Sequence, residues 1–210
     1  MNKNSLRLAA WGAVLLLFWG CAPKYNITAA YDEEKPYRVA LLPVANETND
    51  LDGPPIFRKY ANIYLVAKGY DVPDLVDVDR VLAEEFDVQE GGQLNAVDPV
   101  ELGKVLKCDA LVYVTITEWV KHTLGVYTDM IVAGKFEMLS TKDGAVLWQV
   151  PDQRYTKRKI ADPYSAAMVT VQYLLKNYEP TVDHVVNGAF KTLPSLEEHK
   201  RLLRQPKQKG

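Results

Sequence analysis

His122, His184, His199, Cys21 and Cys108 are the residues of this chain best suited to acid–base, metal or nucleophilic chemistry. A hydrolase needs a nucleophile beside a base, or two carboxylates converging in a cleft. His122 lies in the connection Lys121–Gly125 and His199 in a basic C-terminal stretch, and neither has a neighbour at metal-ligand spacing. Asp183 and His184 are adjacent; on a helix they point about 100° apart and cannot hold a metal together without distant help. Cys108 stands between a helical pattern and an apolar strand, which suits a small hydrophobe. Gly91-Gly92 lacks the spacing and strand context of a phosphate loop. Catalytic, cofactor-binding and metal-ligating residues are therefore not assigned, and no cofactor is expected. What remains is a candidate partner surface: Asn46 at the end of the first strand, and Glu118 with Trp119, an exposed polar and aromatic pair at the end of a core strand.

The elements that position these residues are legible from periodicity. Asp109–Val150 reads as a β-meander, two long strands and a shorter one. In Asp109–Trp119, Ala110, Val112, Val114 and Ile116 fall on one face. From Val126 to Leu139 the apolar face is Val126, Met130, Val132, Phe136 and Met138, with Tyr127, Asp129, Lys135 and Glu137 facing water. Asp143-Gly144 supplies the positive φ of a tight turn before Ala145–Trp148. Upstream, Tyr37–Val44 is a strand covered on both faces, with Pro43 restricting its end to an edge or a bulge. Asn46–Pro55 is a loop whose side chains bond their own backbone.

Helices fill the rest. Pro54-Pro55 opens one with a stripe of Ile56, Tyr60, Ile63, Tyr64 and Ala67, closed by Lys68-Gly69. Asp77 caps a second, with Val78, Val81 and Leu82 inward, and Glu90–Gln93 breaks it. Asp98-Pro99 starts a third. After the meander, Arg154–Lys159 is a basic strand or exposed loop. Asp162-Pro163 caps a helix through Tyr178, and a last helix carries Val182, Val185, Val186, Ala189, Phe190 and Leu193 inward. The fold class is α/β, a mixed sheet with an antiparallel meander in its C-terminal half, flanked by helices.

The chain has 210 residues and net charge −2, which argues against nucleic acid as a partner. Two cysteines in unlike contexts imply no disulfide framework. Met1–Arg7 is short and positive, and leads into Leu8–Gly20, 13 apolar residues, too few for a spanning helix. Cys21 follows at once, with Phe18 and Trp19 in place of the usual Leu and small residue. This layout resembles the bacterial lipoprotein signal, in which the cysteine is acylated; Ala22 rather than Asp after it implies outer-membrane sorting in Gram-negative bacteria. The expected boundaries are a signal at 1–20, a tether at 21–36, one periplasmic α/β domain at 37–193 and a basic flexible tail at 194–210.

Val39–Thr48, Ala67–Pro73, Cys108–Ile116 and Ser140–Trp148, together with Cys21, resemble the matching blocks of a bacterial outer-membrane lipoprotein family related to a neisserial surface lipoprotein antigen. The family is similar in fold to the amino-terminal domain of TolB, the curli secretion lipoprotein and a lipoprotein activator of peptidoglycan synthases. The resemblance implies lipidation at Cys21, a place at the outer membrane facing the periplasm, and a non-enzymatic accessory role in envelope or secretion-machine assembly through other envelope proteins. An uncovered sheet edge would invite a homo-oligomer. The alternative is a periplasmic small-ligand binder or a hydrolase working in a cleft near Asn46.

Overall fold

A computed structural model describes residues 25–124, 127–160 and 178–196. Cys21, Val126, the helix expected from Asp162 and His199 lie outside the described residues. In chain order the elements are β1 (Asn26–Ile27), α1 (Ala29–Glu34), β2 (Val39–Leu41), β3 (Ala45–Asn46), α2 (Gly53–Ala67), α3 (Leu75–Phe86), a 3₁₀ turn (Gly91–Ala96), α4 (Pro99–Leu106), β4 (Ala110–Leu124), β5 (Tyr127–Ser140), β6 (Val146–Ile160) and α5 (Glu179–Phe190). The strands form one mixed sheet in the order β1-β6-β5-β4-β2, with β3 also on β4. β2 and β3 run parallel to β4, and the β4-β5-β6 meander is antiparallel. The α/β class and the C-terminal-half meander are as the periodicity predicts.

Alternation builds the core. Ala110, Val112, Val114, Ile116, Met130, Val132, Phe136 and Met138 are buried on one sheet face with residues of α2 and α5. Phe136 meets Phe57 at 6.3 Å and Phe190 at 5.8 Å between ring centroids, and Trp148 lies 5.5 Å from Phe190. On the other face, Ala40, Leu42, Leu111 and Cys108 pack with Val78, Leu82, Leu102 and Leu106 of α3 and α4. β2 and the first half of β4 are thus covered on both sides, whereas Lys135 and Glu137 of β5 stay exposed. Asp98 caps α4 by accepting the Val100 N–H at 2.8 Å, and Gly144 takes φ +75° in the β5–β6 turn.

Several expectations need correction. β6 is not short: its 15 residues run on to Ile160 and absorb the basic stretch from Arg154. The pairing register slips between Phe136↔Val150 and Gly134↔Gln153, so Pro151, without an N–H, falls at a bulge. α2 buries Gly53, Phe57, Ala61 and Leu65, about one residue's rotation (~100°) from the expected stripe, and leaves Ile63 48% exposed. The helix is apolar over a wide arc, and the Phe57 ring, by meeting Phe136, decides which part faces in. Asp74, not Asp77, caps α3 through the Val76 N–H at 2.8 Å, while Asp77 pairs with Arg80 at 3.0 Å. Glu90–Gln93 forms a capping box that starts the 3₁₀ turn rather than only ending a helix.

The expected tether is partly built into the body. β1 pairs with β6, Tyr31 of α1 is 1% exposed, and its hydroxyl lies 2.5 Å from that of Tyr70. Ser140 donates to Glu34 at 2.7 Å. At the other end the expected tail begins later than Pro194: the Leu196 N–H donates to the Lys68 carbonyl at 2.9 Å, and the Pro194 carbonyl accepts from the Tyr70 hydroxyl at 2.9 Å.

Phe136→Ala is expected to cost about 3–5 kcal/mol, read as a lowered urea midpoint, because its two aromatic partners, Phe57 and Phe190, cannot close the cavity. A second outcome follows from α2 and α5. Desolvation, reinforced by its bond to Asp183, raises the Tyr64 hydroxyl to about 12, and desolvation raises the Tyr113 hydroxyl to about 12 as well. Both hold their protons more tightly folded than unfolded. Their contribution is whole below the unfolded value of about 10 and is lost as pH rises toward 12. Urea midpoints measured from pH 9 to 12 should fall over that window, and less steeply for Tyr64→Phe; a flat profile would contradict the assignment.

Candidate functional site

The three residues picked out from sequence meet at one end of the parallel part of the sheet. Asn46 pairs with Ile116, and the Glu47 N–H donates to the Ile116 carbonyl at 2.9 Å, the last bond between this segment and β4. The chain then turns on itself. Asn46 Oδ1 accepts from the Thr48 N–H at 3.0 Å and from its hydroxyl at 2.7 Å, and Asn46 Nδ2 donates to the Asp50 carbonyl at 2.7 Å. Asp50 Oδ1 accepts the Asp52 N–H at 2.9 Å. Short polar side chains that imitate backbone partners hold this loop without a regular element.

Two hollows flank the loop. One, about 440 Å³ and widely open, lies between Glu47–Asp50 and Thr117–Val120. The other, a half-open cleft of about 420 Å³, is walled by Pro43, Leu51, Pro54, Pro55 and Arg58 and backed by the Gln89–Gly92 turn. Its back wall depends on one glycine: a Cβ at Gly91 would stand 2.3 Å from the Val44 carbonyl carbon, so the turn can lie against the strand backbone only without a side chain there. The Arg58 guanidinium is held as a fork, Nη1 to Asp79 Oδ2 and Nη2 to Asp79 Oδ1, both at 2.7 Å, and Nη2 also donates to the Leu41 carbonyl at 3.1 Å. It ties α2 to α3 and to the end of β2, so its charge is already met. Leu51 projects at the rim, 87% exposed. Hydroxyl, thiol and imidazole groups are missing from this lining, and its one carboxylate is Glu90.

Trp119 corrects its expectation. It is 8% exposed, with its ring 4.4 Å from that of Tyr178 and 6.3 Å from that of Phe57. The cause is a bulge: Ile116 pairs with Gly134 and Glu118 with Ala133, so Thr117 is an extra residue that turns Trp119 inward and Glu118 outward. Glu118 pairs with Arg154 at 3.0 Å across the small Ala133, since Glu118, Ala133 and Arg154 stand in one cross-strand row. Gly53, the first residue of α2, packs on this corner; a Cβ there would lie 2.9 Å from Ile116 Cδ1 and 3.3 Å from the Trp119 ring.

Of the other reactive candidates, Cys108, His184 and His122 lie among the described residues. Burial pushes the Cys108 thiol up to about 11, so it stays protonated at neutral pH. His184 stacks on Tyr155 with centroids 3.9 Å apart, and His122 sits beside Asp129 across β4 and β5. Among the described residues no group of His, Cys, Asp and Glu has the geometry to hold a metal ion. Sequence reasoning missed Leu51, Arg58 and Gly91. The available signals were Pro54-Pro55 and Gly91-Gly92, read as punctuation when they are also walls.

Comparison with known proteins agrees with this architecture. A crystal structure of lipoprotein GNA1162 from Neisseria meningitidis aligns with 67% of this chain and 97% of its own, with a TM-score of 0.53 and 19% identity, and shows the same fold. A PelC dodecamer structure from Paraburkholderia phytofirmans covers 73% of this chain and 85% of its own at TM-score 0.46 and 15% identity, a likeness too loose to speak to function. The lipoprotein NMB1124/NMB1162 of Neisseria meningitidis serogroup B is 24% identical over 127 residues, 60% of this chain. The match spans 58% of that relative's length. The family model described as "Putative lipoprotein GNA1162-like" matches residues 26–207, nearly all of the sequence beyond the N-terminal apolar run, and the chain belongs to that family.

Proposed function

We propose that this protein is an outer-membrane lipoprotein, acylated at Cys21 and facing the periplasm, whose α/β body serves without catalysis as a docking factor for other envelope proteins during assembly of envelope or secretion machinery. Membership of a lipoprotein family supports the anchor. Among the described residues no helix is long and apolar enough to cross a membrane. Three acyl chains, at ~0.8 kcal/mol per buried CH₂, would hold the protein to the bilayer for its lifetime.

The observation that carries the docking role is the cleft beside Asn46. Leu51 is 87% exposed on a rim of prolines, a costly arrangement in free solution that becomes favourable when a partner covers it. Full burial of such a leucine contributes about 2–3 kcal/mol. The prolines fix the wall before binding, so little chain entropy is lost on contact. A volume of about 420 Å³ also suits a small ligand. However, a ligand site depends on polar groups free to converge on the bound molecule, and here Asp79 and the Leu41 carbonyl occupy both terminal nitrogens of Arg58, while its unpartnered Nε–H is buried.

Two measurements test this reading. The intact mass of the mature protein should carry a lipid increment on a chain beginning at Cys21, and Cys21→Ala should lose it and leave the membrane fraction; a wild-type mass without lipid would end the anchor reading. A photo-crosslinking residue at position 51, in cells, should give a discrete envelope-protein adduct that a probe at exposed Glu101 does not. Recovery of that partner with Leu51→Asp should drop about tenfold, the scale of a modest hot spot. Identical adducts at both positions would refute the docking cleft.

A further inference from the structure

The sheet fixes the chain from Asn26 onward. Asn26 pairs with Gln149 and Ile27 with Trp148, antiparallel, and the Thr28 N–H and hydroxyl donate to the carbonyls of Leu147 at 3.0 Å and Val146 at 2.7 Å. Cys21 precedes Asn26 by five residues. Five peptide steps reach at most ~18 Å, so lipid on Cys21 leaves the body no long leash. Direction is set as well. Because β1 runs against β6, the N-terminal end of β1 faces the half of β6 that lies beyond Gln149.

That half is the basic part of the molecule. β6 carries Arg154, Lys157, Arg158 and Lys159 there beside Asp152, and the neighbouring halves of β4 and β5 add Lys121, Glu118 and Asp129. Five cations to three carboxylates give this end an excess of positive charge in a chain whose net charge is −2. Arg154 pairs with Glu118 and Arg158 with Asp129, but both arginines remain well exposed, at 51% and 63% of their side chains. The Arg154–Glu118 pair is partly exposed, worth little and able to exchange carboxylate for phosphate at small cost. Asp129, by contrast, is 13% exposed at its side chain, so Arg158 would meet a headgroup from its open side while keeping that pair. Among the described residues, no strand pairs with β6 past Gln149 on its outer edge.

We infer that the distal half of β4-β5-β6, led by Arg154, Lys157 and Arg158, is the membrane-facing end of the body and seats on anionic lipid headgroups of the leaflet that holds the Cys21 acyl chains. The inference rests on the acylation proposed above. Position and charge act together: the short reach from Cys21 brings this end within about one or two Debye lengths of the headgroups, where basic side chains are drawn to anionic lipid. The cleft beside Leu51 and Pro54 is then carried at a set height above the bilayer.

The test uses the full-length processed protein, reconstituted into phosphatidylcholine vesicles with or without phosphatidylglycerol. A photoreactive residue replaces exposed Thr156 or, as control, exposed Glu101, at the opposite end of the sheet where Gly103 of α4 packs on Thr141. Lipid labelling from position 156 should exceed that from 101, rise roughly fivefold when phosphatidylglycerol is present, and fall back with high salt or in Arg154→Gln/Lys157→Gln. Equal labelling from both positions in protein whose intact mass shows acylation would overturn the inference while leaving the anchor standing. If the mass shows no acyl chains, the anchor reading fails by itself. The same protein added to phosphatidylglycerol vesicles then still decides: labelling from 156 supports the basic edge, and none rejects it.

Discussion

One extra residue in the central strand governs this structure. Up to Ile116, β4 is an interior strand with parallel neighbours on one side, an antiparallel neighbour on the other and helices over both faces. Such a strand must be apolar throughout, and Ala110-Leu-Val-Tyr-Val-Thr-Ile116 nearly is. Thr117 ends that regime. It breaks the register, coincides with the last parallel hydrogen bond and swaps which face the following residues present. Past it, the sheet is a three-stranded ribbon of mixed polarity. The loop from Asn46 to Asp52 sits at the junction, with a hollow on each side of it.

The aromatic cluster makes the junction rigid. Phe57, Trp119 and Tyr178 stack on one side of the corner, and Phe136, Phe190 and Trp148 continue the contact along the sheet. Ring pairs at these separations add to the area they bury. The Trp148 indole also donates to the Thr192 hydroxyl at 2.9 Å, which ties the end of α5 to β6. Since α2 begins at the same corner through Gly53, the proline wall of the cleft is positioned by the core itself and not by the loop alone.

Much of this was legible beforehand. Strict alternation marked the inner faces of β4 and β5, the stripe from Val182 to Leu193 marked α5, and Asp98-Pro99 and Asp143-Gly144 marked a helix start and a turn. What escaped shares a physical cause, the dependence of local meaning on distant partners. Trp119 has no sequence signal for burial because an inserted residue elsewhere in its strand reverses its face. Phe57 and Ile56 are equally good helix-face residues until Phe136 chooses between them. Arg154–Lys159 reads as strand or exposed loop by composition, and β5 supplies the ladder that decides for strand. Asn26–Glu34 is too polar to announce a docked segment; Tyr31, which finds Tyr70, holds it. The candidate site was half visible, since Asn46 and Glu118 do lie at one corner, but its walls come from segments that only the fold brings together.

The way β1 joins the sheet has a mechanical consequence. Its two residues and Thr28 bond to β6 across the strand direction. A pull from the N-terminal side therefore loads those bonds in shear, all together, instead of peeling them one at a time. The Tyr31 and Glu34 contacts stand behind them as a second line. Tension on the N-terminal segment would be transmitted into the long β5–β6 ladder, so that the domain turns and tilts as one piece with whatever holds its leading end.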